Sequence, residues 1–295
     1  MSDPQPPAPE FLTVAELAEL LRVKQRKVYD LAASGALPCS RATGNLLFPA
    51  AEVRAWIARA RTGGQPGVQP RPPIVLGSHD PLLDWAIRAS GCGLASYVDG
   101  SLDGLARFVA GEGVAAGLHV HDPASGQWNV PAVAAAAAGQ NAALVAFARR
   151  RRGLLLRPDG PRAEGLADLA GLRVTPRQPE SGAAGLFKTL AAAAGLDLGA
   201  LRQGEPARTE DEAAESVRTG AADAAFGLEA VARRFGLDFV PVIEEEFALL
   251  VDRKAWFDPP LQALMRHLRT PAFHRRAQEL GGYEVSRAGE VLWNA

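Results

Sequence analysis

Hydrophobic residues at helical spacing predict two helices near the start of the chain. In the segment FLTVAELAELLRV, Leu17 and Leu21 fall on one helical face. Thr13 precedes them as a capping residue, and Glu16 stands three positions later, where its side chain can complete a capping box. The next segment, KQRKVYDLAASGALP, has apolar positions on one face and Gly35 where a helix would end. We therefore predict two short helices joined by a tight turn.

A hairpin and a third helix follow this pair. The segment PCSRATGNLLFP predicts two short strands around residues 43–45. The segment AAEVRAWIARA then places Val53, Trp56 and Ile57 at helical spacing. The predicted order over residues 11–60 is therefore helix, turn, helix, hairpin, helix.

A proline-rich segment precedes this unit, and a segment rich in proline and glycine follows it. Residues 1–10 predict a disordered tail, and residues 61–73 predict a flexible linker because they hold no apolar pattern. After the linker, short apolar runs alternate with helical segments rich in alanine and leucine. The predicted strands are 74–77, 94–98, 114–119, 172–175, 224–227 and 239–242. Residues 74–295 are therefore predicted to form an α/β domain with mainly parallel strands.

The alternation breaks in the middle of the α/β domain. Two apolar runs, 143–148 and 154–156, come close together without a helical segment between them, as expected where a chain passes from one lobe to another. Four arginines, Arg149–Arg152, separate the runs, and three glutamates, Glu244–Glu246, stand further along the chain. Runs of like charge are usually solvated, so we expect both at the surface. The alternative is that the arginines hold a phosphate or pyrophosphate group.

Serines follow three of the predicted strands where a helix begins. Ser78 and Ser101 follow the first two strands, and Ser181 and Gly182 follow the strand at 172–175. Helix N-termini combine unpaired N–H groups with the positive end of the helix dipole, so anions bind there. In α/β folds the carboxyl ends of parallel strands form the ligand edge, which predicts a converging oxyanion site. Each serine alone is also explained as a helix cap.

Histidines lie beside these junctions. His79 adjoins Ser78, and His119 and His121 stand at the end of the third strand. Alternate residues of a strand point to opposite faces, so the His-x-His pair reaches one zinc ion only if the strand ends there. The consecutive Ser78, His79 and Asp80 cannot form a catalytic relay, which needs groups converging from separate positions. We therefore expect neither a resident metal nor catalysis.

Net charge points to a polyanion partner for the N-terminal unit alone. The 295-residue chain carries a net charge of −1, yet residues 11–60 hold seven Lys or Arg against four Asp or Glu. Cys39 and Cys92 lack the spacing of a disulfide framework or zinc ribbon. The start of the chain lacks a signal-peptide pattern, and no apolar run is long enough for a membrane span. We expect a cytoplasmic protein without a membrane partner.

The N-terminal unit resembles the excisionase/MerR-type winged helix-turn-helix. The V-Y-x-L-x-x-x-G-x-L-P core of that family is matched by Val28, Tyr29, Leu31, Gly35, Leu37 and Pro38. The resemblance implies that the second helix lies in the major groove of double-stranded DNA and that the hairpin is a wing. The residues expected to contact DNA are Lys24, Gln25, Arg26, Lys27, Tyr29 and, on the wing, Arg41. The Ser or Thr that often opens this helix is missing, so its start lacks the usual cap.

Residues 74–295 resemble the bilobal type II periplasmic-binding-protein fold, and more closely a substrate-binding-like domain found behind helix-turn-helix modules and in molybdopterin-biosynthesis proteins. The matching segments are GSHDPLLD, GLHVHDPASGQWNVP, LRVTPRQPESGAAGLF and GAADAAFGLEAVARRFGLDFVPVIEEEFALLV. In the related molybdate receptors, hydroxyl and backbone N–H groups hold a tetrahedral oxyanion between the lobes. The resemblance assigns Ser78 and Ser101 to the first lobe and Ser181 to the second. The neighbouring His79, His119 and Gly182 complete the candidate ligand-binding set.

Together the two resemblances imply an α/β protein in which an N-terminal winged helix-turn-helix is followed by a bilobal type II periplasmic-binding-protein-like domain. The function they imply is a one-component transcriptional regulator that senses molybdate, tungstate or a related oxyanion or molybdenum species, needs no cofactor and works as a homodimer. Two alternatives stay open at this point. One is a protein that binds or handles the molybdenum cofactor, and the other is a hydrolase on the same fold.

Overall fold

The computed structural model describes residues 10–41, 44–59, 70–179 and 181–295. The chain divides into two units, Met1–Gln69 and Pro70–Ala295. The expected tail at 1–10 and the expected linker at 61–73 lie mostly outside the described residues, and so does the first residue of the predicted hairpin turn.

The first unit contains the three predicted helices. Its elements are β1 (Phe11–Thr13), α1 (Val14–Leu21), α2 (Gln25–Ala33), β2 (Leu47–Pro49) and α3 (Ala50–Arg59). The predicted capping box is confirmed, because Thr13 Oγ1 accepts from the Glu16 N–H at 3.3 Å and Glu16 Oε2 accepts from the Thr13 N–H at 2.8 Å. Gly35 follows α2 with a φ of +71°, the left-handed conformation that ends a helix.

The hairpin of the first unit differs from the prediction. Among the residues that the structure describes, its first strand consists of one bridge between Ser40 and Leu47, while β2 pairs antiparallel with β1. The pattern did not predict β1, because those three residues also fit the approach to a helix cap. Phe48 of β2 is fully buried and packs with Val28 and Val53, so the added strand closes the small core.

The second unit consists of two lobes joined by two long strands. The first lobe comprises β3 (Ile74–Gly77), α4 (Pro81–Ala89), β4 (Ala95–Val98), α5 (Ser101–Val109), β5 (Ala115–Leu118), α6 (Val130–Ala137), α10 (Pro259–His267), α11 (Pro271–Leu280) and β12 (Val291–Asn294). The second lobe comprises β7 (Arg173–Thr175), α7 (Gly182–Ala193), β8 (Arg202–Gln203), α8 (Glu210–Arg218), β9 (Ala224–Leu228) and α9 (Glu229–Phe235). Short 3₁₀ turns occur at Leu166–Leu169, Leu198–Ala200 and Ala255–Phe257.

The long strands are β6 (Ala142–Leu156) and β10 (Asp238–Asp252), which pair antiparallel along their length. At one end β10 pairs with β5 of the first lobe, and at the other β6 pairs with β9 of the second lobe. The short β11 (Tyr283–Glu284) adds to the middle of β6. The two crossing strands therefore form the hinge between the lobes.

The central strands correct one sequence prediction. Among the described strands, parallel pairing joins β3 to β4 and β5, and β7 to β8 and β9. The runs at 143–148 and 154–156 belong to one continuous strand, and the run at 239–242 is part of a strand more than twice as long as predicted. The sheet is mixed rather than mainly parallel, because both lobes share the antiparallel crossing pair. Within the described ranges, no helix has the length and hydropathy needed to cross a membrane.

Candidate functional site

The two serine junctions of the first lobe meet in the cleft. Ser78 follows β3 and Ser101 opens α5; both are buried, and their Oγ atoms are 2.7 Å apart. The backbone N–H of His119, just after β5, donates to Ser101 Oγ at 3.1 Å. The close approach of α5 to β3 depends on glycine, because a Cβ on Gly104 of α5 would lie 2.2 Å from the Gly77 Cα of β3. The sequence thus brings the ends of three neighbouring elements to one point.

The second lobe reaches the same point through the start of α7. Ser181 caps this helix, its Oγ accepting from the Ala184 N–H at 3.1 Å. A Cβ on Gly182 would lie 2.6 Å from the His119 carbonyl oxygen and 3.0 Å from Ser101 Oγ. Only a glycine allows this contact, so the lobes are closed upon each other at the serine junctions.

An ion pair at the rim of the cleft also joins the lobes. Asp99 follows β4 in the first lobe, and Arg208 precedes α8 in the second. The Arg208 Nη2 lies 3.0 Å from each carboxylate oxygen of Asp99. The Arg208 side chain is 69% exposed, so this contact is an exposed ion pair between the lobes rather than part of the core. We call the pair of Asp99 with Arg208 the clasp.

Buried arginines lie at the hinge, where solvated ones were expected. Arg150 and Arg152 have side chains 1% and 0% exposed, whereas those of Arg149 and Arg151 are 48% and 46% exposed. Because alternate residues of a strand face opposite sides, two of the four arginines point inward. The surface expectation was therefore wrong for Arg150 and Arg152. It was also wrong for Glu245, which is fully buried.

The buried arginines are neutralised by carboxylates from both lobes. Arg150 donates to Asp80 of the first lobe at 2.8 Å and also to Glu245 of β10. Arg152 donates to Glu245 at 2.9 Å and to Glu210, the first residue of α8, at 2.7 Å. A continuous chain of ion pairs thus runs from the first lobe through the hinge to the second.

Further polar side chains complete this network. His119 Nδ1 lies 3.0 Å from Glu245 Oε2, the Tyr283 hydroxyl donates to Asp80 at 2.7 Å, and Arg177 donates to Glu210 at 2.8 Å. The hinge network, as we call it, consists of Asp80, His119, Arg150, Arg152, Arg177, Glu210, Glu245 and Tyr283. Its three arginines match its three carboxylates in charge, so it holds no surplus positive charge for a ligand.

Burial and charge shift the titration of this network in opposite directions. Burial would raise the pKa of Glu245, but the charges of Arg150 and Arg152 hold it well below its usual range. Burial likewise opposes ionisation of Glu210, yet its arginine neighbours bring its pKa down to about 2. Burial lowers the pKa of His119, and this outweighs the opposing effect of Glu245. Glu210 and Glu245 are therefore ionised and His119 is neutral at pH 7.

Comparison with known proteins identifies the family. Residues 85–269, more than half of the chain, match the PBP superfamily domain. The chain belongs to the PBP superfamily. Residues 11–61 match a helix-turn-helix domain. The uncharacterized protein YvgK of Bacillus subtilis (strain 168) is 27% identical over 95% of this chain and 97% of its own length.

The fold likeness extends to solved structures. A putative phosphate ABC transporter substrate-binding protein with bound phosphate, from Clostridium perfringens, superposes with a TM-score of 0.54. The alignment covers 72% of this chain and 98% of that protein, at 10% sequence identity. At this identity the likeness concerns the fold: two lobes joined by crossing strands, with a cleft between them.

Two histidines of the second unit stand apart from the hinge network. His79 and His121 are half-buried, and the Nδ1 of each is buried with no hydrogen-bond partner among the described residues. The His121 ring lies 4.9 Å from the Trp128 ring, centroid to centroid. Within the part of the chain that the structure describes, no three His, Cys, Asp or Glu side chains are grouped to hold a metal ion.

The helix-turn-helix domain presents its predicted DNA-contacting residues to solvent. On the opposite face of α2, Val28 and Ala32 are buried. Lys24 is the N-cap of α2 and makes no side-chain capping bond, so the predicted lack of the usual cap is confirmed. The exposed candidates are Lys24, Gln25, Arg26, Lys27, Tyr29 and Arg41.

Sequence reasoning missed most of the hinge network. The arginine run was noticed, but its partners lie on other elements, such as Glu245, 95 residues from Arg150 along the chain. One signal was present: the run is flanked on both sides by buried apolar residues. A strand that continues through the charges must turn alternate arginines inward.

Proposed function

We propose that the protein is a one-component transcriptional regulator that binds double-stranded DNA and responds to molybdate, tungstate or a related oxyanion. A helix-turn-helix domain and a PBP-superfamily domain in one chain support the joining of DNA binding to ligand sensing. The observation that carries the ligand proposal is the convergence of Ser78, Ser101 and Gly182 between the lobes. Hydroxyl groups and the N-terminus of α7 meet there, and both donate to anions.

The charge balance of the hinge network supports an anion that is bound by hydroxyl and backbone N–H groups rather than by a charged side chain. Arg150 and Arg152 already bond carboxylates, so a ligand in the cleft would depend on hydroxyl and backbone N–H groups. Such donors have fixed directions and discriminate anions by size and geometry rather than by charge alone. This chemistry suits a tetrahedral oxyanion and follows the resemblance to the molybdate receptors.

Ligand binding would exchange contacts that now close the cleft. The Ser78 and Ser101 hydroxyls bond each other, and Gly182 packs against them. An oxyanion would enter the cleft when the lobes part and would accept hydrogen bonds from the hydroxyl and N–H groups that are freed. The bound anion would then stabilise a separation of the lobes that differs from the present one. In a homodimer, that change would reposition the paired helix-turn-helix domains relative to two DNA half-sites. Action on DNA implies a cytoplasmic protein.

Side-chain geometry supports binding rather than hydrolysis. Ser78 Oγ bonds Ser101 Oγ, and among the described residues neither hydroxyl bonds a histidine ring. Asp80 bonds Arg150 and Tyr283, so its carboxylate is committed to the hinge network. A nucleophilic serine needs a base within hydrogen-bond reach. We therefore propose a binding protein without catalytic activity.

Calorimetric titration tests the ligand proposal. Molybdate and tungstate should bind, and the smaller sulfate should bind more weakly. Ser78→Ala removes one donor to a dianion, and hydrogen bonds to charged groups are worth about 1.5–3 kcal/mol, so affinity should fall about ten- to a hundredfold. The exposed Ser286 is the matched control, and Ser286→Ala should leave affinity unchanged.

Two results would redirect the proposal. If neither oxyanion gives heat while the protein still binds a DNA fragment from upstream of its own gene, the ligand assignment is wrong. If the purified protein carries a pterin, the function is handling of the molybdenum cofactor. Equal weakening by the Ser78 and Ser286 variants would remove the cleft as the binding site.

A further inference from the structure

The second lobe contains a cavity separate from the serine junctions. Its volume is about 250 Å³, and it lies between β7, α7, the 3₁₀ turn Leu198–Ala200 and β8. Its apolar walls come from Val174, Phe187, Leu198, Leu201 and Phe226. None of the serine-junction residues lines it.

The size of this cavity distinguishes it from a packing defect. The cavity opens to solvent beside Lys188, and its volume is several times the share of one water molecule in the liquid, about 30 Å³. The Phe187 and Phe226 rings, with centroids 5.5 Å apart, line a space large enough for another ring. Apolar cavities of this kind with a few polar groups at the rim are typical ligand sites.

The charges around the cavity indicate the sign of its ligand. Arg177 lines it but donates to Glu210, so its charge is neutralised. Lys188 also lines it, is exposed, and has no ion-pair partner among the described residues. Lys188 and Lys254 are the only two lysines of the sequence from residue 70 onward. Within the part of the chain that the structure describes, the cavity therefore combines apolar walls with one unneutralised positive charge.

We propose that this cavity binds a small monoanion with a single apolar ring, such as an aromatic carboxylate. The ring lies against Phe187 and Phe226, and the carboxylate meets the Lys188 ammonium. The volume is below the 300–1,000 Å³ typical of sites for drug-sized ligands, which limits the ligand to about one ring. This site goes beyond the proposed oxyanion site and does not depend on it.

Fluorine NMR with three probes tests the proposal on the full chain. The probes share one ring and differ in charge: 4-fluorobenzoate, 4-fluorobenzyl alcohol and 4-fluorobenzylamine. We expect the carboxylate to bind about tenfold more tightly than the alcohol and the amine to bind most weakly. Lys188→Glu should reverse the order of carboxylate and amine. Lys254→Glu, a change of the same charge on the first lobe, should leave all three unchanged.

A cavity-filling variant tests the location. Ala184 lines the cavity from α7, and Ala184→Phe should abolish binding of all three probes. If that variant fails to fold, Lys188→Glu still decides, because its side chain is exposed. The proposal would be overturned if the three probes bound with equal affinity, or if Lys188→Glu left their affinities unchanged. Molybdate titration of the Lys188→Glu protein should match that of the unchanged protein, which separates this site from the cleft.

Discussion

Two runs of basic residues, one in each unit, have opposite environments. On α2, Arg26 and Lys27 are exposed and have no ion-pair partner among the described residues. On β6, Arg150 and Arg152 are buried, and each bonds two carboxylates. The difference comes from the residues that fold against each run, not from its composition. Exposed cations can bind a polyanion, whereas the buried cations are committed to the protein itself.

The buried hinge network and the exposed cations of α2 contribute differently to the free energy of unfolding. Taking several charges out of water costs free energy that the ion pairs only partly return, so the network is weak support for high stability. Removing one partner of a buried ion pair strongly destabilises the fold, because it leaves an uncompensated buried charge. The hinge should therefore tolerate single charge changes far less well than α2.

The largest expected effect comes from Glu245→Gln. Glu245 contacts both buried arginines, and its neutralisation leaves the hinge with excess positive charge. We expect the free energy of unfolding to fall by about 3–5 kcal/mol, measured by urea denaturation. The neighbouring Glu244 is 56% exposed, so Glu244→Gln should cost less than about 0.5 kcal/mol. Equal losses in the two variants would contradict the burial argument.

DNA binding is the next largest effect. Replacing Arg26 and Lys27 together by alanine removes two cations from the proposed recognition helix. We expect affinity for duplex DNA to fall about tenfold or more, and the salt dependence to weaken by about 0.9 per lost phosphate contact. Fluorescence anisotropy at several salt concentrations measures both. Lys254→Ala in the second unit should change neither, and an unchanged salt slope in the double variant would refute the assignment of α2.

The elements that followed regular patterns could be predicted from sequence. The helix pair of the first unit was indicated by its capping box and its C-terminal glycine. In the second unit, β3 coincides with its predicted strand, and β4, β5, β7 and β9 each differ from their predicted strands by one residue at one or both ends. Among the predicted junctions, Ser78 contacts Ser101 within the first lobe, and Gly182 of the second lobe packs against Ser101 and His119 of the first.

The hinge could not be predicted in the same way. The four arginines interrupt the apolar pattern of β6, so one strand looked like two. Patterns along the chain report only local burial, and the pairing of Arg150 with Asp80 and Glu245 joins residues 70 and 95 positions apart. Buried charges become acceptable only after the fold supplies their partners, which no short segment contains.

A pH titration of stability probes His119, the histidine of the hinge network. Burial holds the pKa of His119 below its ordinary value of 6.5, so the unfolded chain binds a proton that the folded chain does not. Stability should therefore be constant above about pH 7 and fall as the pH drops below about 6.5, by at most about 1.4 kcal/mol per pH unit for this group. Burial also lowers the pKa of His267, which adds to the same slope.

The variant His119→Gln isolates this contribution. Gln keeps a donor for Glu245 but cannot take up a proton, so the slope between about pH 7 and about pH 5.5 should become shallower. Urea denaturation at both pH values measures it. If the slope is the same in the variant and the unchanged protein, His119 is not the group that titrates.

The smallest effect on stability is expected at the rim of the cleft, where the clasp of Arg208 with Asp99 contrasts with the buried hinge. The clasp is exposed, so Arg208→Ala should change the free energy of unfolding by less than about 1 kcal/mol. It nevertheless joins the two lobes, and its loss should favour opening and weaken molybdate binding about two- to fivefold. Small-angle X-ray scattering reports lobe separation without relying on the ligand. The exposed pair of Arg162 with Asp238, 3.3 Å apart within the second lobe, provides the control, and Arg162→Ala should leave opening and affinity unchanged.

If both variants open the cleft equally, the ion pair of Arg208 with Asp99 has no specific role. Closure of the cleft then depends on the contact of Gly182 with Ser101 and His119.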